Sequence, residues 1–178
     1  MNRVESSTLD DGRLESLVKR AQRGDADALE EVISATFRLV RKLAAPLLPA
    51  CAVDDAVQET YLIVVQKLHY LQNPAAFRSW LSRIALHVCY GWRRKSRPTE
   101  ELSEAHAVTD LAQSDQRLRL QSALNVLSKN DRDILILREY LGLSYEEIAD
   151  VLVLPEGTVR SRLFNARKRL RELLTLSS

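Results

Sequence analysis

An all-α fold in two small units is what this chain of 178 residues predicts, on three observations. Apolar residues recur at steps of three and four, and strand-like alternation is nearly absent. Only five Gly and five Pro interrupt these stripes. Residues 96–115, SRPTEELSEAHAVTDLAQSD, are polar and carry no sustained helical stripe, so they read as a flexible connector, long for a loop inside one domain. The expected organisation is a domain over 1–95, a linker over 96–115 and a domain over 116–178.

The elements can be taken in order. Leu14, Leu17, Val18 and Ala21 mark a first helix, stopped near Gly24. Asp25 is placed to cap a second, whose expected buried stripe is Ala28, Leu29, Val32, Ile33, Phe37, Val40 and Leu43. Pro46 and Pro49 break the chain. A third helix is predicted from about Asp54 to Leu68, and a fourth after Pro74 with Phe77, Trp80, Leu81, Ile84 and Val88 on one side. That helix ends in Arg93, Arg94, Lys95 and Arg97. The macrodipole favours one or two cations there. Four suggest a phosphate partner.

The net charge of +2 hides its distribution: residues 1–95 carry +3, 96–115 carry −4 and 116–178 carry +3. Cys51 and Cys89 lie far apart and are expected to be reduced thiols in a cytosolic protein. His87 and Cys89 are two residues apart, which suits a packed helix better than a metal site. No secretory signal and no apolar run long enough to span a membrane is seen, so a cytoplasmic protein without membrane insertion is expected. The sequence shows no phosphate-binding Gly-rich loop and no acid–base or nucleophile constellation. No catalytic residue, cofactor or metal is therefore expected.

The most informative stretch is Leu143–Arg171, LSYEEIADVLVLPEGTVRSRLFNARKRLR. Ser144 and Glu147 form a capping box at the start of a helix whose apolar side is Ile148, Val151 and Leu152. Ala149 is small where a second helix would cross closely. Pro155 suits the first turn of that helix. Val159, Leu163, Ala166, Leu170 and Leu173 or Leu174 then repeat at helical spacing and must face inward. Arg160, Ser161, Phe164, Asn165 and Lys168 share the opposite face. From Arg160 to Arg171 there are six basic residues and no acidic one. A helix of this kind fits the major groove, where Arg and Asn pair bidentately with base edges and an apolar group meets a thymine methyl. A basic amphipathic helix packed on a partner is the plainer reading of the charge alone; the capping box and tight connection favour DNA.

On these residues the chain resembles the extracytoplasmic-function (ECF, group IV) sigma factors of the sigma-70 family. DDAVQETYLIVVQKL at 54–68 is similar to the family's region 2.2, AFRSWLSRIALHVCYGWRRKSRP at 76–98 to regions 2.3 and 2.4, and RDILILREYLGLSYEEIADVLVLPEGTVRSRLFNARKRL at 132–170 to region 4. The resemblance implies a transcription initiation factor, not an enzyme, that binds core RNA polymerase and promoter DNA. Asp55, Gln58 and Glu59 match positions that dock on the polymerase β′ clamp helices, and region 4 implies contact with the β flap. Tyr70, Gln72 and Asn73, in the loop before Pro74, match the segment that captures a flipped −10 base; alternatively Asn73 caps the next helix and the loop is a connector. Arg93, Arg94 and Lys95 are assigned to the same −10 contact. Arg138, Tyr145, Glu146, Thr158, Arg160, Ser161, Arg162, Phe164, Asn165 and Lys168 are the implied −35 set. Phe77 and Trp80 match family positions as well, though their spacing reads as core. Members are commonly held inactive by an anti-sigma factor, so such a partner is implied too.

The chain departs from the family twice. Val153 stands where relatives usually have Gly, a strained position if the turn needs positive φ. Asn165 stands where many have Arg, and Asn prefers adenine. Readings from other classes are a stand-alone helix-turn-helix regulator that binds operators without polymerase and a helical adaptor that binds only protein.

Overall fold

The computed structural model describes residues 11–95 and 111–176, and among them every regular element is helical. In chain order these are α1 (Asp11–Gln22), α2 (Ala26–Ala44), α3 (Ala50–Lys67), α4 (Phe77–Lys95), α5 (Leu111–Val126), α6 (Lys129–Leu135), α7 (Tyr145–Leu152) and α8 (Glu156–Leu176). Short 3₁₀ turns at Leu68–Tyr70 and Pro74–Ala76 join α3 to α4, and a π turn at Ile136–Tyr140 follows α6.

Local chemistry sets most of the boundaries. Gly24 takes φ +91° after α1, a conformation open to glycine. Asp25 then caps α2 by accepting the Ala28 amide at 3.0 Å. That contact and the Arg20 guanidinium hold the Asp25 carboxyl below the usual carboxylate range. Pro46 and Pro49 lie between α2 and α3, and α3 starts at Ala50, four residues ahead of the predicted Asp54. Helix α5 reaches back to Leu111, into the stretch expected as linker. Leu111, Ala112 and Gln113 there are good helix formers, and a helix that has nucleated extends at little cost despite a polar composition.

Helices α1–α4 bury one stripe each: Leu17 and Val18 from α1, Val32 and Leu43 from α2, Val57 and Val64 from α3, Phe77 and Leu81 from α4. Phe37 departs from its predicted stripe. It is 43 % exposed, and Thr36 occupies the buried position beside it. Thr36 returns its hydroxyl to the Val32 carbonyl and meets the Tyr61 hydroxyl at 3.0 Å. Burial pushes the Tyr61 phenol up to about 12. Trp80 and Ile84 are only partly buried. Cys89 is buried, with its thiol pushed up to about 12 by desolvation, while Cys51 is exposed; both are free thiols.

In the second unit the organising side chain is Arg132. It is buried, and it donates to the carbonyls of Leu124 at 2.6 Å, Asn125 at 2.9 Å and Leu127 at 2.9 Å. These carbonyls close helix α5, whose last turn has no intrahelical donors. One guanidinium fork thereby satisfies three acceptors and turns the chain into α6. Ser128 caps α6 through the Asp131 amide.

The two units are not held by the connector alone. Helix α7 and the start of α6 lie against α4, and the π turn touches α2. The apolar core runs without a break from Leu14 to Ala166.

Arg132→Met should lower the unfolding free energy by about 2–4 kcal/mol, because it strands buried carbonyls at the end of α5. Urea denaturation followed by circular dichroism checks this; a loss under 1 kcal/mol would show that other donors replace the guanidinium.

Candidate nucleic-acid interface

The helix-turn-helix is built as its sequence requires. The Ser144 hydroxyl accepts the Glu147 amide at 3.1 Å, and the Glu147 carboxylate accepts the Ser144 amide at 2.7 Å, so the capping box of α7 is complete. Gly142, at φ +69°, allows the sharp entry from the π turn. Ile148 and Val151 are buried against Val159, Leu163 and Ala166 of α8. Pro155 sits just ahead of α8, and its carbonyl accepts the Thr158 and Val159 amides.

The turn between α7 and α8 rests on a left-handed residue that is not glycine. Val153 has φ 54° and ψ 54°, and its side chain is 78 % exposed. Its amide and that of Leu154 both go to the Ala149 carbonyl, the latter at 3.0 Å, which ends α7 in a bifurcated cap. The β-branched side chain therefore carries the strain that positive φ imposes, of order 1–3 kcal/mol. The hydrogen-bonded cap and the buried α7–α8 seam hold it there.

Outward, the expected face of α8 is intact. Arg160, Ser161, Phe164, Asn165 and Lys168 are all exposed, with Phe164 at 70 %. Ser161 donates to the Thr158 carbonyl, and Arg160 pairs with Glu156 at 3.0 Å. Tyr145 joins this face from α7. The guanidinium carbons of Arg138 and Arg160 lie over its ring at 5.0 Å and 5.6 Å. Arg138 also donates to the Leu143 carbonyl at 2.7 Å, so the cation is held by the turn it serves. Glu146 is exposed and Thr158 half-buried. Arg162 does not share this face; it is half-buried and turned toward α4.

The residues of the first unit are divided. Tyr70 is exposed, with the His69 ring centroid 3.9 Å away. Its loop is anchored by Gln22, which donates to the Leu68 and Leu71 carbonyls at 2.9 and 2.8 Å. Gln72 is exposed and donates to the Tyr70 carbonyl. The Asn73 carbonyl oxygen caps the following turn through the Ala75 amide at 3.1 Å. At the end of α4, Arg93 donates to the Leu47 carbonyl and to the Asn125 side chain. Arg94 and Lys95 are exposed, Lys95 near the Trp92 ring. Asp55 and Gln58 are exposed on α3. Glu59, expected on the same open face, instead turns to α4 and accepts the Trp92 indole N–H at 2.7 Å. Trp92 lies 33 residues on, so helical periodicity carried no sign of it.

Sequence periodicity also missed a groove. Phe37, Leu62 and Val65 stand 43 %, 57 % and 48 % exposed and line a largely apolar depression of about 560 Å³ between α2 and α3, with Gln58 at its edge. Phe37 stacks on Tyr61, with ring centroids 6.5 Å apart. A helical stripe marks apolar residues without saying which of them lack a cover.

Residues 32–99 match the family model for sigma-70 region 2, and residues 117–170 match that for sigma-70 region 4. The chain belongs to the ECF branch of the sigma-70 family. It is 30% identical to the ECF RNA polymerase sigma-E factor of Escherichia coli strain K12, over 86% of this chain and 90% of that protein. It is 33% identical to the RNA polymerase sigma-H factor of Pseudomonas aeruginosa, over 90% and 93%. The structure is similar to that of CnrH, solved in complex with the cytosolic domain of CnrY, with TM-score 0.77 and 26% identity over 93% of this chain and 99% of that one. It is also similar to the sigma factor RpoE of Bartonella quintana, solved with the anti-sigma factor NepR, with TM-score 0.68 and 27% identity over 84% and 98%. As an ECF sigma factor, the protein directs core RNA polymerase to promoters and carries a DNA-binding helix-turn-helix. A stand-alone regulator is not favoured. Among the described residues no helix is long and apolar enough to cross a membrane.

Val153→Gly should raise the unfolding free energy by about 0.5–2 kcal/mol. Relief of the left-handed strain exceeds the extra freedom glycine gives the unfolded chain, and the lost side chain is exposed. Urea midpoints at constant slope report the gain, and an unchanged midpoint would mean that Val153 is not strained.

Proposed function

We propose a division of labour in which three surfaces of this sigma factor meet three different targets. The outward face of α8, with Tyr145 and Arg138, reads the −35 element. The carrying observation is the row Arg160, Ser161, Phe164, Asn165 and Lys168, exposed on a helix whose other side is locked into the core. Stacking of Arg138 and Arg160 on Tyr145 limits their freedom before DNA arrives, which lowers the ordering cost of binding. Arg160 and Asn165 serve as base readers and Lys168 as a phosphate contact. Glu146 and Thr158 lie beside them at the helix starts. The Glu156 partner of Arg160 is an exposed ion pair of small worth, so phosphate or guanine displaces it readily.

The loop 70–76 and the end of α4 form the −10 surface. Tyr70 is the exposed aromatic on which an unstacked base would rest, and Gln72 supplies an amide. The cap made by Asn73 makes its first role the positioning of α4, with its amide nitrogen directed by that cap. Arg94 and Lys95 supply phosphate contacts.

Core polymerase docks on α2 and α3. Asp55 and Gln58 contribute polar contacts to the β′ clamp helices, and the Phe37–Leu62–Val65 groove supplies the apolar area that a stable interface needs. Glu59 acts indirectly, by fixing Trp92. The second unit, 116–178 with α5 extending toward 111, meets the β flap. The activity is initiation without covalent catalysis, in the cytoplasm. An anti-sigma factor is a further partner, as in the complex of the relative RpoE with NepR.

Three tests follow from this division. Asn165→Ala and Arg160→Ala should each weaken binding of promoter duplex by about 1–3 kcal/mol and relax preference at one −35 position. Lys168→Ala should weaken all sequences evenly and lower the salt slope by about one unit. Fluorescence anisotropy with −35 variants at several salt concentrations separates the two kinds of contact, and unchanged base preference in Asn165→Ala removes it from the readers. Leu62→Glu should cut core polymerase affinity at least tenfold with the helical content unchanged; retention of wild-type affinity in a pull-down would move the docking site elsewhere.

A further inference from the structure

The outward face of α8 begins with a charge of the wrong sign for DNA. Glu156 opens the helix and is exposed. The next acid of α8 is Glu172, about 24 Å further along the axis. The six basic residues Arg160, Arg162, Arg167, Lys168, Arg169 and Arg171 lie between them. A carboxylate at the head of this row weakens attraction to phosphate whatever the sequence of the duplex.

Two ordinary roles are open to Glu156. In the first turn it complements the helix macrodipole, and it forms an i,i+4 ion pair with Arg160 at 3.0 Å. Both effects are weak at an exposed site. The surroundings allow a third role. The Arg160 guanidinium lies over the Tyr145 ring at 5.6 Å, so it is held from the α7 side while its Nη2 donates to Glu156. Gly157 is exposed, and no neighbouring atom lies within 4 Å of the space a Cβ would take there. The first turn of α8 is therefore unobstructed, and the first turns of a recognition helix are the part that meets base edges. Residues one helical turn apart, with Cβ atoms about 5–6 Å from each other, reach base pairs stacked at ~3.4 Å.

Docking on a base edge changes the partners of both side chains. Guanine offers O6 and N7 to Arg160 in a bidentate arrangement and so draws it away from Glu156. The carboxylate then loses its donor in a contact from which water is being expelled. An ionised acceptor stranded there costs more than the hydrogen bond it gave up. A base restores the donor only if it carries an amino group in the major groove. Cytosine N4 does so, with no acceptor beside it on the same base. Adenine N6 also donates, but its N7 acceptor lies next to it. Guanine and thymine present oxygen, which repels the carboxylate.

We propose that Glu156 is a specificity-determining residue of the −35 reader. It accepts the N4 amino group of a cytosine one step from the guanine read by Arg160, tolerates adenine there, and rejects guanine and thymine. This role rests on the assignment of the outward face of α8 to the −35 element. Selectivity then comes partly from rejection: the residue gives up general affinity for DNA and gains discrimination at one base pair.

The test uses holoenzyme, full-length chain with core polymerase, and a promoter pool randomised through the −35 and −10 elements. Bound sequences are read after selection. Wild type should enrich cytosine over guanine and thymine by about five- to twentyfold at one −35 position. Glu156→Ala should level the four bases at that position to within about twofold, and Glu156→Gln should move the preference to adenine, which glutamine pairs bidentately. Glu156→Ala should also bind duplex lacking a −35 element more tightly than wild type, since a repulsive charge is gone. Thermal melting by circular dichroism reports on the helix start. A lower melting temperature with evenly weakened binding and an unchanged base profile would confine Glu156 to the macrodipole and ion-pair roles and overturn the proposal. If Arg160→Ala or Asn165→Ala shifts the profile while both Glu156 variants leave it as in wild type, Glu156 reads nothing and the α8 assignment stands. If none of the four variants shifts it, the α8 assignment falls and the role of Glu156 falls with it.

Discussion

Helix α4 is packed from two opposite sides, and this constraint orders the molecule. Its inner face, with Phe77, Leu81 and Ala85, closes the four-helix unit. Its outer face, with Arg83 and Tyr90, receives α6 and α7. Trp92 and Arg93 near its end reach sideways to α3, to the α2–α3 turn and to α5. A helix with so many obligations has little freedom to rotate. The positions of the loop 70–76 before it and of the cationic residues at its end are therefore fixed relative to α2 and α3. That loop is positioned by this packing together with the Gln22 anchor and the Asn73 cap.

The second unit solves a similar problem by different means. It is small, and its helix-turn-helix must be rigid enough to present side chains to base edges. Three devices supply this: the Arg132 fork on the end of α5, the reciprocal Ser144–Glu147 cap, and the αL residue between α7 and α8. Two of them satisfy polar groups at helix ends, where short helices are weakest. The third stores strain in a place where packing on both sides outweighs it. Val153 shows that a family position normally occupied by glycine constrains the backbone first and the residue type second.

Much of the helical order was legible in the sequence because its signals are local. The Asp25 cap, the stop at Gly24, the capping box and the inward stripe of α8 all depend on residues within one or two turns of each other. What was not legible depends on distant pairing. Glu59 reads as one of a polar trio on α3, and only the position of Trp92 turns it inward. Phe37 fits a buried stripe by spacing, yet no element covers it. Tyr90 and Asp133 are 43 residues apart and look like unremarkable members of their own helices. The π turn at Ile136–Tyr140 adds a residue to a helix without changing its composition, so periodicity could not announce it. On the helix-turn-helix, α8 was readable because exposure there is the complement of a strong apolar stripe; the loop 70–76 has no such complement.

The unbroken apolar core has a bearing on how the chain behaves when its backbone is interrupted. Leu47 and Leu86 belong to the same buried cluster as Leu124 and Val151, so neither unit completes its surface without the other. A single proteolytic cut between residues 95 and 111 severs the polypeptide but leaves that cluster in place. The two pieces should then migrate together as a nicked complex, and two halves produced as separate chains should reassemble by complementation. Their union would depend on concentration, since the peptide link that kept each half at high effective molarity near the other is gone.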